Sequence, residues 1–265
     1  MKILWVAVAC ALALLCGCVD TTTNITIKPD GSGTIDKTIV LSKHLAEFVL
    51  KSGMSGDAAS VERSMLNENQ LKGAAGQMGP GVSCVSVEKI TAEKGNGYHA
   101  VYAFKDISKV KINTNPASDL NMPAGGAAAA PVQYLTFKFA AGTPATLTVV
   151  APKPPADAKP PAPAKQMSQA DADKMFATMK PLYSDLRILF TITVAGKIAS
   201  TNAAYADGST ITLTDMDFGK ILADDATVKK LRAGQNQSLD QVKDIVKGVP
   251  GVKLETQDTV TVRFE

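Results

Sequence analysis

Four cysteines, two histidines, one tryptophan and four arginines are all that the 265 residues hold of those types. So few thiols and imidazoles leave no spacing for a zinc site. Basic and acidic side chains nearly balance, 28 against 25, for a net charge of +3. That is no footprint for nucleic acid, and the scarcity of Arg, the side chain that grips phosphates and bases in bidentate fashion, points the same way. No apolar run reaches the roughly 20 residues of a membrane-spanning helix. Yet the chain is 45% hydrophobic and only 20% charged, which excludes wholesale disorder and leaves one or two packed domains.

The longest apolar run stands at the very start. Lys2 is followed by unbroken apolar residues from Ile3 to Leu15, the length of a signal-peptide core. Leu15-Cys16-Gly17-Cys18 closes it. This resembles the bacterial lipobox, with Leu three before a Cys and a small residue one before. The resemblance implies alkylation of the Cys18 thiol with diacylglycerol, cleavage between Gly17 and Cys18, and acylation of the new amine by a palmitate-like chain. Cys16 fits less well, because Leu15 would then occupy the small-residue position. An uncleaved helical anchor or an ordinary secretory signal is the other reading. One acyl chain binds a bilayer marginally, at about 0.8 kcal/mol per buried methylene, whereas two or three hold almost permanently. Val19 after the Cys implies, by resemblance to proteobacterial sorting rules, an outer membrane facing the periplasm where the organism has one. Cleavage would remove Cys10, Cys16 and Trp5, and Cys84 alone would remain as a thiol, so no internal disulfide is expected in the mature chain.

Alternation marks strands at 24–27 and 34–41 around Pro29-Asp30-Gly31-Ser32-Gly33, a hairpin signal. Ser42 is placed to cap a helix over 43–51, with Leu45, Phe48 and Val49 inward. A second helix is expected over 58–71, broken by Gly73. A hairpin over 82–92 and 98–104 is expected to turn at Gly95-Asn96-Gly97, and another over 132–139 and 146–150 at Gly142. The stretch 115–131 reads as a Pro/Ala/Gly loop. Six prolines crowd 151–166, an extended spacer that packs no core. Beyond it come a helix capped by Ser168 with Ala172, Met175, Phe176 and Met179 on one face, a strand over 186–194, a turn at Asp207-Gly208, a strand over 210–214, helices near 227–233 and 239–247, and a closing β segment over 252–264. Asp30-Gly31-Ser32 and Pro80-Gly81-Val82 are echoed by Asp207-Gly208-Ser209 and Pro250-Gly251-Val252. Either an old duplication or common turn punctuation accounts for the echo.

Three segments together look like the LppM-like domain of bacterial lipoproteins: the lipobox running into a strand and Asp30-Gly31-Ser32-Gly33-Thr34; Gly97-Tyr98-His99-Ala100-Val101-Tyr102-Ala103-Phe104 with Asp106; and Leu186-Arg187-Ile188 through Gly196-Lys197-Ile198, Thr201-Asn202 and Asp207-Gly208-Ser209-Thr210-Ile211-Thr212. Ala195 stands where the family has a proline, and Leu213 where a tryptophan is expected. The resemblance spans roughly 18–218 and implies an envelope-facing α+β domain, with the proline-rich stretch inserted into it. The expected organisation is a signal peptide over 1–17, a first domain part over 18–150, the linker over 151–166, a second part over 167–218 and a C-terminal helix-strand extension over 219–265. The expected fold is an antiparallel sheet built of hairpins with helices on one face.

Catalytic constellations are sparse. Cys84 and His99 would lie roughly 20 Å or more apart if the hairpin turned at Gly95 to Gly97, and His44 reads as a surface histidine. A Ca²⁺ loop opening at Asp215 would need Gly and Glu where Lys220 and Ala226 stand; Asp217, Asp224 and Asp225 read as loop and cap acids. Ser86-Val87-Glu88-Lys89 and Ser108-Lys109-Val110-Lys111 match SxxK without the companion motifs, and no phosphate-binding GxxxxGK[ST] occurs. Lys105, Lys109 and Lys111 suggest either contact with anionic headgroups or a lysine-protected edge. No catalytic residue, metal site or cofactor is expected. The expected role is that of a membrane-anchored cell-envelope lipoprotein that binds or assembles rather than catalyses, held by its lipid, with a lipid ligand or an envelope protein as partner. A hydrolase-like site assembled from scattered residues, or a structural surface spacer, is the alternative.

Overall fold

The computed structural model describes residues 19–44, 47, 67–114, 133–152, 169–233 and 248–265. The expected signal peptide, the 115–131 loop, nearly all of the proline-rich linker, the helix near 239–247 and the Leu45, Phe48, Val49 and Ser168 positions lie outside them.

Alternation of β-formers produces thirteen strands among the described residues, and they form two sheets. Strand β1 (Val19–Ile27) turns through Asp30-Gly31 into β2 (Gly33–Ser42), and β3 (Ser83–Ala92) pairs with β4 (Gly95–Phe104). After a 3₁₀ turn at Ile107–Lys109 come β5 (Lys111–Asn113), β6 (Tyr134–Ala140) and β7 (Ala145–Val150). The chain continues through β8 (Arg187–Val194), β9 (Ile198–Thr201), β10 (Ala206–Asp207) and β11 (Thr210–Asp217), and closes with β12 (Val252–Leu254) and β13 (Thr259–Phe264). Sheet A runs β10-β11-β8-β1-β2-β4-β3 with β12 also on β11, and sheet B runs β5-β6-β7-β13-β9. The result is a strand-rich mixture with open sheets, not the single hairpin sheet expected.

One more expectation is corrected. The β1–β8 pair is parallel, with Ile25 opposite Ile192, although the other strand pairs of both sheets are antiparallel. Parallel strands need a long crossover, so no local pattern announces them. The closing segment supplies β13, which sits between β7 and β9 in sheet B. The two apparent copies also diverge here: β3 and β4 both stay in sheet A, but β12 and β13 go to different sheets.

The sheets face each other across one apolar core. Ile25, Ile27, Ile35, Tyr102, Ile192 and Ile211 of sheet A meet Leu147, Val149, Val262 and Phe264 of sheet B. Full burial of one such side chain contributes about 1.5–3 kcal/mol. Helix α1 (Glu68–Met78) buries Leu71, Ala75 and Met78, and Asn67 caps it by accepting from the Asn69 and Gln70 backbone N–H groups. It runs straight through Gly73 and Gly76, which was not expected. A glycine costs about 1 kcal/mol in a helix, and here packing outweighs that. The Tyr102 hydroxyl, buried in the core, donates to the Leu71 carbonyl at 2.8 Å. A second small cluster joins Phe176 of α2 (Gln169–Tyr183) to Tyr183, Leu186, Phe218 and Val228, the last two from α3 (Phe218–Ala223) and α4 (Asp225–Ala233). Pro181 lies inside α2, which ends two residues beyond it.

One turn joins the sheets. Gly31 has φ +83°, and a Cβ there would lie 2.8 Å from the Phe139 ring of β6. The Gly31 carbonyl accepts from the Ile107 N–H at 2.9 Å, and the Ser108 hydroxyl accepts from the Phe139 N–H at 3.1 Å. Substituting Gly31→Ala should therefore cost roughly 1–3 kcal/mol through both backbone strain and the ring clash. Urea unfolding is the measurement, with the midpoint expected to fall at unchanged m-value.

Candidate functional site

Three places in the fold could carry function: the end of sheet A where β1 begins, the β3–β4 hairpin that carries Cys84 and His99, and a cleft beside α1. Gly17 and Cys18, the expected cleavage and lipid-attachment residues, lie outside the described residues. β1 begins at Val19, immediately after Cys18, and spans about 30 Å at 3.3 Å per residue.

Around that starting end the charges are organised in pairs. Arg187 grips Asp215 with two N–H···O bonds of 2.9 and 3.0 Å. Asp217 accepts from the Lys220 backbone N–H and so caps α3. Burial works against the Asp217 charge, but the backbone and side-chain hydrogen bonds of Lys220 outweigh it and hold the carboxyl below its usual range. Asp224 accepts from the Ala226 N–H and the Thr227 hydroxyl, and Asp225 lies 3.8 Å from Lys180. These are helix caps and ion pairs, and no cluster among the described residues could hold a metal ion. His44, half exposed, sits 2.9 Å from Asp185.

Asp20 is the partly buried carboxyl of this end. Burial pushes its carboxyl above the usual range, and Lys94 and Arg187 pull it back only in part. The folded protein thus holds this proton more tightly than the unfolded chain does. Stability contributed at acid pH is lost as pH rises through the raised value. Asp20→Asn should accordingly raise Tm at pH 7, and the gain should fade as pH falls below about 3.8–3.9, the ordinary Asp value. Thermal melts of both proteins across that range check it.

The hairpin register differs from the expected one. Its turn is Glu93-Lys94, with Ala92 opposite Gly95, so Cys84 pairs with Tyr102 and His99 with Glu88. Gly95 and Gly97 lie within the strand. A Cβ at either would press within 1.8 or 2.0 Å of the Leu41 or Ile39 carbonyl, so these glycines serve close strand approach instead of the turn. Cys84 and His99 are only about 10 Å apart along the strand, half the expected separation. They nevertheless occupy opposite faces: Cys84 packs on the core, while His99 points outward at 3.7 Å from Asp36. Ser86 and Lys89, three apart on one strand, also face opposite ways.

The three lysines do not act as one cluster. Lys105 and Lys109 follow the end of β4 that pairs with Gly33, at the far end of sheet A from Val19, and Lys109 lies 3.7 Å from Asp106. Lys111 instead sits 4.6 Å over the Tyr134 ring, at the mouth of the cleft. That cleft lies between α1, β2 and β5–β6 and is lined by Lys37, Gln70, Leu71, Ala74, Gln77, Met78, Lys111, Ile112, Asn113 and Tyr134. Its volume is about 50 Å³, against roughly 300–1,000 Å³ for pockets that enclose drug-sized ligands. Nothing local in the sequence announces it, because Lys37 looks like any polar residue in an alternating strand.

The fold is thus a two-sheet, strand-rich domain with helices at its margins, and no described helix is long and apolar enough to cross a membrane. No family model matches the chain, and the search of curated proteins gives no match. Among solved structures it is similar to the folded domain of LppM from Mycobacterium tuberculosis, at 10% identity and a TM-score of 0.36 over 93% of this chain and 89% of that one.

Proposed function

We propose that the chain is a lipid-anchored cell-envelope protein that works by binding or assembly, with Cys18 as the acylated residue after cleavage behind Gly17. The observation that carries the reading is that Val19, the residue after Cys18, is already paired with Leu41 in β1, in the middle of sheet A. Acyl chains on Cys18 would then have no spacer between them and the domain. The sheet's starting end would rest at the headgroups, and Lys105 and Lys109 would face away, about 30 Å from the bilayer. An envelope protein meeting that distal surface is the partner class this geometry favours. The divergence of Cys84 from His99 supports a non-enzymatic role, since a nucleophile and its base must lie within hydrogen-bond reach. A lipid ligand would have to be held outside the α1 cleft, which has no room for an acyl chain.

Metabolic labelling with a palmitate analogue tests the anchor. The wild type and Cys16→Ser should incorporate the label, and Cys18→Ser should lose it entirely. Label retained by Cys18→Ser would overturn the assignment.

A further inference from the structure

The geometry points to the outer face of sheet B as a docking surface for a linear anionic polysaccharide. Its recognition rests on Lys138 and Arg263, with Lys111 at the β5 edge, and it does not depend on whether Cys18 carries lipid.

The five strands of sheet B contain no Asp or Glu. Their charged side chains are Lys111, Lys138 and Arg263, all cations. Leu135, Phe137, Leu147, Val149, Val260 and Val262 face the core, so by strand alternation the three cations point to the other side. All three are exposed. Neither Lys138 nor Arg263 has an ion-pair partner among the described residues, and Lys111 rests on the Tyr134 ring. Sheet A differs in sign, since Asp20, Asp36, Glu88, Asp207, Asp215 and Asp217 all lie in its strands.

The register sets the cations on one diagonal. Lys111 stands opposite Thr136, and Lys138 is two residues further along β6. Lys138 is opposite Thr148, which is opposite Thr261. Arg263 lies two residues beyond Thr261 and is opposite Thr146. With strands about 4.8 Å apart and a rise of about 3.3 Å per residue, the backbone positions are spaced roughly 8 and 12 Å, or about 20 Å end to end. Evenly directed positive charge along an open face attracts an extended polyanion more than a compact ion. Between the cations, the hydroxyls of Thr136, Thr146, Thr148 and Thr261 can donate to and accept from sugar hydroxyls. A bilayer fits less well. The exposed large hydrophobic side chain of the described residues, Val85, lies in β3 of sheet A, so sheet B offers no such group to enter the acyl region.

Polygalacturonate, with one carboxylate per sugar, is the probe, and neutral dextran is the blank. Retention of the detergent-solubilised full chain on each immobilised polymer is measured as sodium chloride is raised. The wild type should be held by polygalacturonate alone and released by salt. Lys138→Gln and Arg263→Gln should each weaken retention roughly fivefold, as expected for removing one cation facing an anionic surface, and the double variant should lose it. Lys229→Gln, which removes an equal charge from exposed α4, should change nothing. Thermal melts confirm that the variants stay folded. Equal retention on dextran, or equal weakening by Lys229→Gln, overturns the surface. So does an outcome in which Lys138 and Arg263 are needed for binding phosphatidylglycerol vesicles but polygalacturonate is not retained.

Discussion

The parallel pairing of β1 with β8 is the constraint on which the rest of the architecture depends. It joins residues more than 160 positions apart, with Thr21 opposite Ile188 and Ile27 opposite Val194. On the inner face it sets Ile25 beside Ile192, both fully buried. On the outer face Asn24 locks it, because its side-chain carbonyl accepts from both Thr191 and Thr193 and its amide donates to Thr26. A slip of one residue would turn every one of these side chains to the wrong face. With β1 held between β2 and β8, the hairpins of the N-terminal half and the strands of the C-terminal half become one sheet.

Sheet B follows from the first pairing. Beyond β8, the Ala195 N–H donates to the Ile27 carbonyl, and Lys197 and Glu265 exchange backbone hydrogen bonds. The chain is thereby delivered to β9 and finally to β13. The core between the sheets is filled by large side chains from both, and what remains beside α1 is small and polar at its rim. A packed sandwich of this kind offers its surfaces and the cleft beside α1 for recognition. The end at Val19 carries the Arg187–Asp215 pair and the partly buried Asp20, and the far end carries Lys105 and the Lys109–Asp106 pair.

The turns were readable because their chemistry is local. Gly31, Gly81, Gly208 and Gly251 all adopt positive φ, as the Asp-Gly and Pro-Gly pairs imply. Asn96-Gly97 misled for the same reason. The dipeptide carries a turn signal, yet the crowding of Gly95 and Gly97 against β2 assigns them to the strand, and the turn falls on Glu93-Lys94. Gly73 misled by propensity, since burial of Leu71, Ala75 and Met78 outweighs a weak helix former. For the site, the separation of Cys84 and His99 was overestimated. The conclusion that they do not meet survives on a different ground, their opposite faces.

The sequence by itself determined which segments alternate, where most chain reversals fall, and that no thiol–imidazole or metal-ligand motif is written locally. These depend on φ, on side-chain period and on spacing, all properties of a few neighbouring residues. Only the tertiary structure decided that there are two sheets, that β1 runs parallel to β8, that β13 lies inside sheet B, and that Lys37 and Lys111 share a cleft. Each of these is a contact between residues distant in the chain. Its energy comes from burial that no window of sequence contains.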